Sequence, residues 1–90
     1  MKILKPAKAG TLESNDISIM LMPYDNGIEI ELESVVEKQF GSEIRATIEE
    51  KLKELGVEGV MVKAIDKGAL DYTIKARIET AVIRAGEGNA

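Results

Sequence analysis

The 90-residue chain contains no cysteine, no histidine and no tryptophan. Each absence removes a class of chemistry. Without cysteine there is neither a disulfide framework nor a thiolate metal site. With histidine missing as well, the usual nucleophiles and general bases for work near neutral pH are gone. Aromatic residues make up 3% of the chain, namely Tyr24, Phe40 and Tyr72, so the core has to be assembled from Ile, Leu, Val, Met and Ala. Long apolar runs are also missing. The N-terminus carries Lys2, Lys5 and Lys8, is interrupted by Pro6 and is followed by no apolar stretch. We read neither a signal peptide nor a membrane span there, and the expected location is the cytoplasm. If a chain this poor in reactive groups takes part in chemistry, a group attached to it is the expected means. Ser14, within Ala9-Gly10-Thr11-Leu12-Glu13-Ser14-Asn15-Asp16, is the obvious attachment point.

What is present suits one small soluble domain. The composition is 44% hydrophobic and 31% charged, and 90 residues hold one core but not two. We place the domain at residues 1–85 and read 86–90 as a flexible tail. Charge is uneven: residues 1–12 carry +3, residues 13–58 carry −8 and residues 59–90 carry +1, for a net −4. No basic patch with interleaved aromatics is visible, which disfavours nucleic acid. The acidic middle favours solubility and a basic or cofactor-directed partner.

Two segments alternate at period two. Ile17, Ile19 and Leu21 share one face of the first, with Met20 and Met22 on the other. In the second, Ile28, Ile30 and Leu32 alternate with Glu29, Glu31 and Glu33. Both read as strands, the second half-exposed. Asn26-Gly27 between them tolerates positive φ, so the pair is expected to form an antiparallel hairpin. Residues 11–14 are a candidate short strand turning at Asn15-Asp16, which would leave Ser14 as the last residue before a solvent-facing turn.

Residues 42–55 read as a helix with Ser42 as N-cap and Glu43 at the positive end of the dipole. Ile44, Ile48, Leu52 and Leu55 form its apolar face, Glu49 and Lys53 pair at i, i+4, and Gly56 ends it. Residues 35–40 are compatible with an extra helical turn leading in, with Phe40 as a core anchor. Residues 57–65 read as a further strand, followed by the turn Asp66-Lys67-Gly68. The last segment fits two patterns. Tyr72, Ile74, Ala76, Ile78, Thr80 and Val82 alternate like a strand, while Leu70, Ile74, Ile78, Ala81 and Ala85 fit a helical face. Its length and its Ala, Arg and Lys content favour the helix. The order β-β-β-α-β-α predicts an α+β two-layer sandwich, a small antiparallel or mixed sheet with two helices on one face.

Among the motifs, Glu29, Glu31 and Glu33 fit a hard-cation site less well than a solvated strand face. Asp25-Asn26-Gly27 echoes a calcium loop without its later ligands and reads as a turn. Asp66-Lys67-Gly68 holds a single glycine, which makes a connection rather than a phosphate loop. Met1, Met20, Met22 and Met61 read as start residue and core filler. Glu13 and Asp16 flank Ser14 and would hold an attached phosphodiester out in solvent by repulsion. Nucleophilic catalysis by Ser14 itself is disfavoured, because no histidine takes its proton, and a pairing with Lys8 or Lys67 has no spacing signature. We assign no catalytic residue and no metal site.

Three blocks carry a resemblance. Ala-Gly-Thr-Leu-Glu-Ser at 9–14, Val-Glu-Lys-Gln-Phe-Gly at 36–41 followed by Ile44-Arg45, and Asp-Lys-Gly-Ala-Leu-Asp at 66–71 closely resemble the acyl carrier protein (gamma) subunits of bacterial citrate lyase. The resemblance runs in the same order from about residue 9 to residue 85. It implies that the serine ending the first block, here Ser14, carries 2'-(5''-phosphoribosyl)-3'-dephospho-CoA through a phosphodiester. Family members often have Gly or Ser after this serine where Asn15, also a turn former, stands here. The Asp-Ser-Leu signature of four-helix acyl carrier proteins is absent, so a different carrier fold is implied. The implied role is a non-catalytic carrier of acetyl and citryl thioesters during cleavage of citrate to acetate and oxaloacetate. The implied partners are the alpha (transferase) and beta (lyase) subunits and the prosthetic-group transferase, with no nucleic acid and no membrane. The acyl carrier subunit of malonate decarboxylase is the nearest alternative, and an unmodified assembly or interaction module is the alternative from another class.

Overall fold

The computed structural model describes residues 1–86. Over these residues the order is β1 (Ala7–Ala9), β2 (Ile17–Met22), β3 (Ile28–Ser34), α1 (Glu37–Glu54), β4 (Val60–Asp66) and α2 (Asp71–Ala85). The strands form one mixed sheet in the order β1-β2-β4-β3. β1 and β4 each pair antiparallel with β2, whereas β3 runs parallel to β4. α1 packs on β3, α2 packs on β1 and β2, and the two helices pack on each other. The α+β two-layer arrangement is the expected one, and the segment with two readings is helical. Beyond Gly86, the tail expected at 86–90 lies outside the described residues.

The period-two pattern decides which side chains meet the helices. Ile17, Ile19 and Leu21 of β2 and Val60, Val62 and Ala64 of β4 are buried against Ile44, Ile48 and Leu52 of α1 and Ile74, Ile78 and Ala81 of α2. Each such side chain contributes about 1.5–3 kcal/mol by leaving water, less for Ala. On the other face, Glu29 pairs with Met61, Glu31 with Lys63 and Glu33 with Ile65, and the three carboxylates are exposed as expected.

Several expectations are corrected. β2 and β3 do not form a hairpin, because β4 lies between them. An edge strand tolerates a carboxylate at every second position, and β3 takes that place. The more apolar β4, with Met61 and Ile65 half-buried even on its open face, takes the centre. The 18-residue α1 supplies the crossover that a parallel β3–β4 pair requires. The first strand is Ala7–Ala9, and residues 11–14 are loop. Ser42 caps nothing: α1 begins at Glu37, with Gln39 and Phe40 N–H both donating to the Val36 carbonyl. Phe40 is 46% exposed and anchors no core. Met20, Met22 and Met61 are half-buried on the open sheet face rather than core filler. Other details stand as expected: Lys53 Nζ meets Glu49 Oε2 at 3.1 Å, and Gly56 follows the helix at φ 78°.

Candidate functional site

Ser14 lies in the loop joining β1 to β2. The Asp16 N–H donates to the Glu13 carbonyl at 3.1 Å, closing a turn with Ser14 and Asn15 at its centre. Ser14 is therefore inside the turn rather than just before it, and it is exposed. Asn15 has φ 69°, a left-handed value that Asn and Gly accept and most residues resist. Gly10 opens the loop at φ 92°, and a Cβ there would collide with the Ile17 carbonyl oxygen. The loop is thus forced into close contact with the start of β2.

Asp16 locks it from below. Its carboxylate accepts from Thr11 Oγ1 at 2.6 Å and the Ile17 N–H at 2.7 Å. It also accepts from Arg77 Nε at 2.9 Å and Nη2 at 2.7 Å, a bidentate pair reaching across from α2. Hydrogen bonding to Arg77 holds the Asp16 carboxyl well below the usual carboxylate range, against the opposing effect of burial and with help from Thr11 and Ile17. The Arg77 guanidinium is raised in turn by the same bond. Asp16 is 9% exposed, so its charge is neutralised inside the loop. The expectation that Asp16 repels an attached group is corrected, and Glu13 alone presents an exposed carboxylate beside Ser14.

A second loop braces the first. The Asn15 N–H donates to the Lys67 carbonyl and the Lys67 N–H donates to the Asp16 carbonyl, both at 2.8 Å. The β4–α2 loop that carries Lys67 is itself organised by Asp66, only 1% exposed. Asp66 accepts from Ser34 Oγ at 2.8 Å, Gly68 N–H at 3.1 Å and Ala69 N–H at 2.9 Å. These two loops and the end of β3 form one braced platform, and Ser14 takes no part in its side-chain bonds. Sequence reading found Ser14 but missed Arg77 and the bracing role of Asp66-Lys67-Gly68. Arg77 lies 61 residues from Asp16, and no local pattern links them.

The arrangement presents a hydroxyl without activating it. Among the described residues, no side chain is hydrogen-bonded to the Ser14 hydroxyl. Among the described residues, no group of three or more His, Cys, Asp or Glu is placed to hold a metal ion, and no helix is long and apolar enough to cross a membrane.

Comparison with known proteins identifies the family. The family model described as "ACP: Malonate decarboxylase delta subunit (MdcD)" matches residues 4–85. The crystal structure of a Pseudomonas malonate decarboxylase hetero-tetramer in complex with malonate contains a chain of the same fold. Its TM-score is 0.76 at 20% identity, over 96% of this chain and 93% of that one. The family match over nearly the whole chain places it among acyl carriers. Nearer in sequence is the citrate lyase acyl carrier protein of Streptococcus uberis, 61% identical over 94% of this chain and 84% of the relative. The protein of that name from Halothermothrix orenii is 51% identical over 98% and 94%. The chain belongs to the citrate lyase acyl carrier protein family. Membership implies a covalently bound arm and work within a multi-subunit complex.

Proposed function

We propose that Ser14 carries 2'-(5''-phosphoribosyl)-3'-dephospho-CoA through a phosphodiester, and that the chain is the acyl carrier subunit of a citrate lyase complex. The observation that carries this reading is the exposed Ser14 hydroxyl on a turn whose flanking residues are all tied down. The residues present suit such a group. Solvent surrounds the Ser14 side chain, the Glu13 carboxylate discourages an anionic arm from lying on the loop, and the Asp16 charge is absorbed by Arg77. When attached, the arm supplies the thiol on which acyl groups are held and activated. This chain contributes the bonding oxygen, a fixed anchor and the high local concentration that a tether produces, of millimolar order. No described side chain is hydrogen-bonded to the Ser14 hydroxyl as a base would be. The prosthetic-group transferase therefore supplies proton removal and an activated phosphoryl donor, whose leaving group departs as the Ser14 Oγ–P bond forms. The alpha (transferase) and beta (lyase) subunits then act on one tethered group.

Intact mass of the protein from its native host, with fragmentation of the Ser14 peptide, tests the reading. A mass increment equal to the arm, localised to Ser14, is the expected result. An unmodified chain from cells in which the transferase is active would overturn it.

A further inference from the structure

Resting on the carrier reading above, we propose that the apolar groove beside the Ser14 turn is a docking face for a partner protein. That partner presents an apolar side chain flanked by lysine or arginine. Exposed large hydrophobic residues gather at this end of the molecule. Val35, Phe40, Leu70 and Tyr72 are 46% to 72% exposed around the first turns of α1 and α2, and Leu12, 57% exposed, is in the Ser14 loop itself. Between the two helix starts lies a groove of about 600 Å³ lined by Val36, Phe40, Ile44, Ala69, Leu70 and Tyr72. Two of the three aromatic residues of the chain border it. A clustered apolar patch with aromatic rims is the composition of an interface centre.

The groove and Ser14 share one wall. Lys67 exchanges backbone hydrogen bonds with Asn15 and Asp16, and a Cβ on the next residue, Gly68, would lie 3.6 Å from Asn15 Oδ1. A partner that works close to the Ser14 hydroxyl approaches this end. Charge selects the occupant. Both charged residues lining the groove, Glu43 and Asp71, are exposed carboxylates. A second copy would bring the same charge, and an arm bearing phosphates would be repelled. A partner surface with Lys or Arg around an apolar knob is attracted on both counts.

Calorimetric titration of the arm-free chain against its citrate lyase alpha and beta subunits, one at a time, tests the proposal. Binding to at least one of them is expected, weakening as salt rises. Joint Leu70→Asp and Tyr72→Asp substitution should weaken it about tenfold or more, and Glu43→Gln should reduce its salt dependence. Ile83→Asp, at a 65% exposed position at the far end of α2, should leave it unchanged. Thermal melts confirm that each variant folds as the parent does. Parental affinity in a folded double variant, an equal loss from Ile83→Asp, or no binding of the arm-free chain to either subunit would each overturn the docking face. Because the titrated chain bears no arm, its outcome is separate from the mass measurement at Ser14.

Discussion

At the scale of single residues, the neighbours of Ser14 hold its backbone while leaving its hydroxyl alone. Ser14→Ala should therefore melt within about 0.5 kcal/mol of the parent, since the side chain is exposed and outside the bonded network. The same variant should take up no arm when incubated with the transferase and its donor, as read by intact mass. Arm transferred onto Ser14→Ala would place the attachment elsewhere. Asp16 is the opposite kind of residue. Asp16→Asn should cost about 2 kcal/mol at pH 7, because it weakens a bidentate pair with Arg77 that is partly screened by solvent. The sign of the pH dependence follows from the lowered carboxyl pKa. The stabilisation is fully present above the ordinary Asp value of about 3.9 and is lost as pH falls toward the folded-state value. Melting curves from pH 7 to pH 2 should show the gap between parent and Asp16→Asn closing in acid. A gap that stays constant across that range would remove Asp16 ionisation from the account.

At the scale of elements, α1 shows how far local pattern reaches. Its apolar stripe Ile44, Ile48 and Leu52 is legible at helical spacing, and so are the Gly56 stop and the Glu49–Lys53 pair. Its start is not. Gly41-Ser42 resembles a break and a cap, yet the helix runs through both from Glu37. Packing of Ile44, Ile48 and Leu52 into the core carries the helix through the weak propensity there. Gly41→Ala tests this. A Cβ would lie 3.1 Å from Glu37 Cγ, but Glu37 is an exposed, flexible side chain that can yield. The helix-propensity gain should prevail, raising stability by about 0.5 kcal/mol in urea unfolding. A loss instead would show that the Glu37 contact is rigid.

At the scale of the whole molecule, two layers share one buried seam, and Ile48 of α1, fully buried, belongs to it. Ile48→Ala should cost about 3–4 kcal/mol, a large fraction of the 5–15 kcal/mol typical of a domain, seen as a lower urea midpoint at unchanged slope. A cost below about 1 kcal/mol would mean that the seam repacks freely. The open face of the sheet and the braced loop end are separate surfaces. A carrier can thus present Ser14 at one end while its core, built with few aromatics, remains behind it.

What the sequence by itself determined about this protein is everything written in local periodicity and in the presence or absence of functional groups. That covers the element order, the inward faces of β2, β3 and α1, and the wet row Glu29, Glu31 and Glu33. Tertiary structure alone decided which strands are neighbours, because Ile28–Ser34 alternates in the same way beside β2 as beside β4. It also decided the fate of the charges around Ser14. Glu13 and Asp16 look equivalent along the chain, but Arg77 reaches Asp16 across 61 residues and turns one of the two carboxylates into a buried strut. Pairings of that range depend on how helix α2 is laid on the sheet, and no short stretch of sequence encodes that.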